Sequence, residues 1–311
     1  MMFSPVLSKG VVRPAALGPV LGALTVLCWA SFNVAAIHGL AVGLHPIDLT
    51  LLRFGAAGLV LAPALVWLWR QDGSAARWPS IRQTLTLACL GGPLFGALAV
   101  GGYAHAPLSH GMVIAPAAVF AVGTIFAIVL NGEQVRPPQV FGGLVILAGL
   151  VTLSGLLSGD AQPGAWRGAV LFAAAGSMWA GFTALMRHWS VDPLRGTIAV
   201  GVTSGLVTPI VFIVVLWMGM PSGMSDTPMV EVAGQFVAQG LVGGVISVFA
   251  LMSAARRLGA ATAALLPSFA PAVALALAIP VLGQWPSHVE VVGVFVVTVG
   301  LGIATRRERR R

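Results

Sequence analysis

Charge is scarce in this chain: Asp, Glu, Lys and Arg together make up 8% of its 311 residues, whereas 58% are hydrophobic. Soluble domains carry about 25% charged residues, so a water-facing surface over most of this molecule is excluded. Lysine is nearly missing. Lys9 is the only one, and Gly10 rather than Ser or Thr follows it. That rules out a Walker phosphate loop, and with it ATP hydrolysis by the chain itself. Of the two cysteines, Cys28 and Cys89, both fall in apolar runs, so neither a disulfide framework nor metal-ligand spacing is present. There is no His-Glu-x-x-His pair, and no serine inside an apolar run has a His or Asp partner at helical spacing. Alternation with period two is also absent, which excludes a membrane barrel.

What fills the chain instead is a series of apolar runs of about 20 residues, the length of a helical membrane crossing. In lipid the backbone must satisfy its own hydrogen bonds, so these runs are expected to be helices. The expected spans are 19–38, 48–69, 83–104, 108–131, 138–157, 165–187, 195–218, 231–254, 260–282 and 287–305. The first run is too long for a signal-peptide core and lacks a small-x-small cleavage site, so it counts as a span. With the N-terminus in the cytoplasm, Lys9, Arg13, Arg70, Arg77, Arg82, Arg136, Arg187, Arg195, Arg256, Arg257 and the five arginines of 306–311 all fall inside, 15 of the 17 basic residues. Losing or adding one span would destroy that bias, so the expectation is both termini cytoplasmic. The net charge of +8 follows from these loop arginines and calls for no nucleic-acid partner.

The chain also repeats itself. Pro116, Glu133, Gly142 and Gly149 recur as Pro267, Gln284, Gly293 and Gly300 at an offset of 151, and Trp29, Phe32 and His38 recur as Trp179, Phe182 and His188 at an offset of 150. A unit with an odd number of spans inserts its second copy upside down. The expected fold is therefore an all-α membrane protein of ten transmembrane helices, built as two inverted five-helix repeats. Residues 1–18 form a cytoplasmic tail, 19–157 the first repeat, 165–305 the second, and 306–311 a basic tail. Glycines spaced by seven on helices five and ten (Gly142/Gly149 and Gly293/Gly300) permit close helix approach, either within the chain or across a homodimer.

The block from Pro46 to Arg53-Phe54, the segment Leu108-Ser109 through Pro116, and Asn131-Gly132-Glu133 with the glycines of helix five resemble the EamA family of the drug/metabolite transporter superfamily. The resemblance covers essentially the whole chain, including its duplication. Gln284 stands where the pattern expects an acidic residue, and helix seven has no Arg-Phe counterpart. The resemblance implies a ten-helix carrier in a bacterial inner membrane that exports small metabolites, amino acids or drugs, with no cofactor.

Polar and aromatic residues on single helical faces nominate a central cavity between helices one, three, six and eight. Trp29 and Asn33 share one face with Thr25, Trp179 shares another with Thr183, and Gln235 and Gln239 follow Glu231 at spacings of four. Amides facing hydrocarbon lack partners, so they point at protein or at a wet cavity. Tyr103 is a candidate closure of that cavity from outside, and Pro116 and Pro267 are candidate hinges at repeat-equivalent places. Arg53 is expected to snorkel outward or to pair with an acid such as Asp48, with a substrate carboxylate as the alternative. Five histidines (His38, His45, His105, His110 and His288) fall near the outer face at spacings that match no metal motif. A small-molecule carrier is the favoured reading; a passive channel and an intramembrane enzyme are the alternatives.

Overall fold

In the computed structural model, residues 17–72, 78–132, 134–153, 163–258 and 266–304 are described. Among them every regular element is helical: α1 (Leu17–Ala41), α2 (Pro46–Asp72), α3 (Ile81–Gly91), α4 (Pro93–Tyr103), α5 (Leu108–Asn131), α6 (Pro137–Leu153), α7 (Ala165–His188), α8 (Pro193–Trp217), α9 (Met229–Gln235), a π-helical stretch (Phe236–Ile246), α10 (Ser247–Leu258), a 3₁₀ turn (Leu266–Phe269), α11 (Ala270–Leu282) and α12 (His288–Ala304). Seven segments are long and apolar enough to cross a membrane, counting α3–α4 and α9 onward as one each, and α6, α11 and α12 are shorter apolar helices. The tails, Glu133 and residues 154–162 lie outside the described residues.

Turn chemistry marks where these helices start and stop. Ser80 accepts from the Gln83 amide, while the Gln83 side chain accepts from the Ser80 amide, closing a capping box at the start of α3. Asp192 caps α8, whose first residue is Pro193. Gly132 and Gly283 end α5 and α11 in the left-handed conformation that glycine adopts without a Cβ clash. Hydroxyls inside spans bond back to their own helix: Thr25 donates to the Leu21 carbonyl at 2.9 Å, Ser177 to Ala173 at 2.7 Å and Ser247 to Gly243 at 2.6 Å. Large apolar side chains such as Leu59, Val129, Leu144, Ile213 and Phe249 face outward, as a hydrocarbon solvent allows.

The two halves interlock rather than sit side by side. α1 packs against the π stretch, α10 and α11 of the second half, and α7 packs against α3, α4 and α5 of the first. Between these groups α2 crosses α8, and α6 crosses α12. Each of the last two pairs brings a helix against its own repeat mate. Glycine makes both crossings close. A methyl on Gly58 would lie 2.6 Å from the Cα of Gly205, and one on Gly142 2.5 Å from the Ala304 amide nitrogen. Gly149 and Gly300 likewise abut Val297 and Ile146, and Gly293 abuts Leu153. The seven-residue glycine faces thus serve packing within the chain. A homodimer through these helices would have to use their outward sides, where Phe141, Leu144 and Phe295 are exposed.

The third expected span is broken at Gly92, where Pro93 starts a new helix. A Cβ there would collide with the Ala88 carbonyl oxygen, so glycine is what lets the chain turn. The eighth expected span changes to π geometry over Phe236–Ile246, with Gly240 and Gly243 closing on Ala56 and Phe32. The ninth, expected to be one kinked helix, runs through a 3₁₀ turn at Pro267 before α11 begins beside Pro271. Residues 259–265 of that span lie outside the described residues.

Candidate functional site

Arg53 sits on α2, about two turns below the loop that joins α1 to α2. Its guanidinium carbon lies 4.4 Å from the centroid of Phe32 on α1, 5.8 Å from Phe54 and 6.0 Å from Phe95 on α4. From Phe95 the aromatic surface continues to Trp179 on α7 at 5.2 Å, and from Trp179 to Phe182 at 4.9 Å in a stacked arrangement. Arginine over an aromatic face gains from the ring quadrupole, more so where water is displaced. Among the described residues, no carboxylate and no hydrogen-bond acceptor engages this guanidinium. It nonetheless keeps part of its surface accessible.

The expected pairing with Asp48 does not form. Asp48 is fully buried and accepts from the His45 amide at 2.8 Å, the Ser222 hydroxyl at 2.6 Å and the Gly223 amide at 2.9 Å. It closes the first turn of α2 and latches the α8–α9 loop at once. Nor does Arg53 snorkel to the interface: the rings that seat it belong to α1 and α4, so it points into the bundle.

Tyr103 ends α4 just before the α4–α5 connection. Its hydroxyl donates to Asn33 Oδ1 at 2.7 Å, Asn33 Nδ2 donates to the Trp29 carbonyl at 2.7 Å, and the Tyr103 ring meets Phe172 edge-on at 4.8 Å. One side chain therefore joins α1, α4 and α7. Trp29 and Trp179, repeat mates in sequence, are placed differently. Trp29 packs on the cluster of Val26, Ala30, Met112 and Ala274, while Trp179 belongs to the aromatic run beside Arg53.

Gln235 and Gln239 tie α9 and the π stretch to α1. Gln235 Nε2 donates to the Ala35 carbonyl at 2.7 Å, and Gln239 Nε2 to the Phe32 carbonyl at 2.9 Å. Gln239 is fully buried with its Oε1 unpartnered, whereas Gln235 also borders a groove of about 300 Å³ between α1, α9 and α11. At its mouth His38 Nε2 meets Glu231 at 3.0 Å. Pro116 lies inside α5 and Pro267 in the 3₁₀ turn. The described residues gather no group of three potential metal ligands.

The sequence carries a signal for Arg53 that spacing along α2 alone does not reveal. Pro46 and Pro193 open α2 and α8 with the same separation as the crossing glycines Gly58 and Gly205, which pairs Arg53 with Val200. Phe32 pairs with Phe182. In the second half Val200 is buried against Leu87 and Ala88, with Phe182 packed on the same cluster. The fold therefore closes this position with an apolar residue in one half and opens it to a charge in the other.

An all-helical bundle of interlocked repeats with an apolar exterior defines a multi-pass membrane protein. The chain belongs to the EamA-like transporter family, whose model matches residues 16–155 and again 166–306. A solved crystal structure shares 20% identity over 92% of this chain and 96% of its own, with a TM-score of 0.63, a likeness of fold. No curated protein matches the chain.

Proposed function

We propose that the chain is a secondary transporter of ten spans with both termini cytoplasmic in a bacterial inner membrane, exporting small metabolites such as amino acids or related compounds by alternating access. The observation that carries this reading is where the halves are joined. Hydrogen bonds between described residues of the two repeats run through Asp48 to Ser222 and Gly223, Ser109 to Glu290, His38 to Glu231, Gln235 to Ala35 and Gln239 to Phe32. All lie at mid-bundle or toward the loops that the positive-inside rule places outside. Polar contacts of this kind are separable, so they suit a gate that closes one side and can be exchanged for closure of the other.

Export direction and substrate size rest on the family. The alternating-access step is tested by counterflow in proteoliposomes preloaded with an unlabelled amino-acid panel. A carrier saturates and shows transient accumulation of labelled solute against empty vesicles. Conduction without saturation or counterflow would establish the channel reading instead, and no movement above empty vesicles would remove both.

A further inference from the structure

We propose that Arg53 is the anchor for the carboxylate of an amphipathic substrate, whose apolar body lies along Phe95, Trp179 and Phe182. The inference rests on the transporter reading for its biological setting, but its chemistry is read from this corner of the bundle alone.

Three observations converge on it. First, a guanidinium carries five donors in a planar fork that matches a carboxylate, and here no protein acceptor among the described residues engages any of them. Charge in the bilayer interior is expensive and is retained where it is paired or serves a path. The nearest acid in sequence, Asp48, is fully committed to the outer loop through three donors. Second, the position does not need a charge for the fold, because its repeat mate is the buried Val200. Third, the seat is preorganised. Phe32 holds the guanidinium at 4.4 Å, and the Phe32 carbonyl is itself fixed by Gln239 from the opposite half at 2.9 Å. A cation held over a ring face keeps its in-plane donors free, which is what an incoming anion requires. Beyond it the continuous run from Phe95 through Trp179 to Phe182 offers apolar and π surface. The complementary ligand therefore has one anionic end and an apolar, preferably aromatic, remainder. Gln239 acts here as a positioning residue.

The test uses three probes with one skeleton and different charge: 3-phenylpropionate, 3-phenylpropionamide and 3-phenylpropylamine. Each is titrated against the full chain in lipid nanodiscs, with tryptophan fluorescence and ligand-dependent thermal stabilisation as readouts. Loss of a hydrogen-bonded ionic contact corresponds to a roughly ten- to hundredfold change in affinity. The carboxylate should bind tighter than the amide by that factor, and the amine weaker still. Arg53→Val, which copies the residue at the equivalent position of the second half, should bring the carboxylate's affinity down to that of the amide, while Arg53→Lys should keep part of the preference. If Arg53→Val does not fold, the wild-type comparison and Arg53→Lys decide. Equal binding of carboxylate and amide by the wild type, no carboxylate binding, or an undiminished preference in Arg53→Val overturns the proposal. Counterflow of neutral or cationic solutes with no preference for anions defeats this inference and leaves the transporter standing. Carboxylate binding through Arg53 without any counterflow does the reverse.

Discussion

Adding a single methyl group at Gly149 probes how closely α6 and α12 approach. A Cβ at that position would lie 2.5 Å from Val297 Cγ2, 2.9 Å from the Val297 amide nitrogen and 3.1 Å from the Gly293 carbonyl oxygen. Carbon atoms in contact prefer about 3.5–4.0 Å, so the shortfall is on the order of 1 Å. Val297 is completely buried and two of the three neighbours are backbone atoms. Rotamer changes therefore cannot relieve the clash, and the helices must separate. Overpacking of this kind costs about 1–3 kcal/mol. Against it stands a gain of about 1 kcal/mol from replacing glycine by alanine inside a helix. Gly123→Ala isolates that gain, because a Cβ on Gly123 in α5 meets nothing within 4 Å. In reversible unfolding of the reconstituted protein, Gly149→Ala should be less stable than Gly123→Ala by about 1–3 kcal/mol, and Gly149→Leu should be worse. Equal stability of the two alanine variants would refute the close crossing. A Gly149→Leu protein that melts normally but changes oligomeric state would transfer the glycine face to a partner subunit.

Other consequences are separable from that one. Gln239→Leu removes the bond to the Phe32 carbonyl, and interhelical bonds in membranes are worth about 0.6 kcal/mol on average; the expected result is a small stability change with a larger loss of the carboxylate preference, read in the same titration. Asp48→Ala strips the partner from three donors and should loosen the α8–α9 loop, seen as faster proteolysis or hydrogen exchange over 218–228; unchanged protection would show that the latch is not what holds the loop. Thr227 donates to the Val42 carbonyl at 3.5 Å, so a Val42→Cys/Thr227→Cys pair in a background lacking Cys28 and Cys89 should cross-link and stop counterflow until reduced. Full transport by the oxidised protein would remove outer-side opening from the cycle.

Much of the architecture is legible in the sequence because it depends on composition and period. Apolar runs of helical length, the arginine bias across loops and the recurrence of Trp29, Phe32 and Pro116 follow from the solvent and the duplication, and neither needs three-dimensional information. What stays hidden depends on who meets whom. The Asp48 latch joins residues about 175 positions apart, and the serine that completes it, Ser222, sits in the loop between α8 and α9. The π stretch at Phe236–Ile246 goes with close approaches of Gly240 and Gly243 to neighbouring helices, which no local propensity encodes; the break at Gly92 is marked locally only by the Gly92-Pro93 pair. Spacing shows that Gln235 and Gln239 face protein, but not that the protein they face is the backbone of α1. The expectation for Arg53 fails for a related reason. Spacing along α2 sets its distance from Asp48 but not the rotation that turns it onto Phe32.

The comparison between the halves explains why a duplicated frame can hold a single asymmetric site. Positions that the repeats share, such as Gly142/Gly293 and Gly149/Gly300, sit at the helix crossings, where both copies must satisfy the same steric condition. At Phe32/Phe182 the aromatic is kept in both, but its neighbour is Arg53 in one half and Val200 in the other. A charge at both mates would place two guanidinium groups in the same low-dielectric interior, and their repulsion would act on the empty protein. One charge suffices to orient a monoanion, and the mate Val200 is buried among apolar residues. Introducing the second charge by Val200→Arg should therefore destabilise the bundle, whereas moving the charge in an Arg53→Val/Val200→Arg double variant should recover part of that loss. Recovery would be read as a higher melting temperature than Val200→Arg alone. If the double variant melts no higher, burial of Val200 rather than repulsion sets the cost, and the argument from charge number fails.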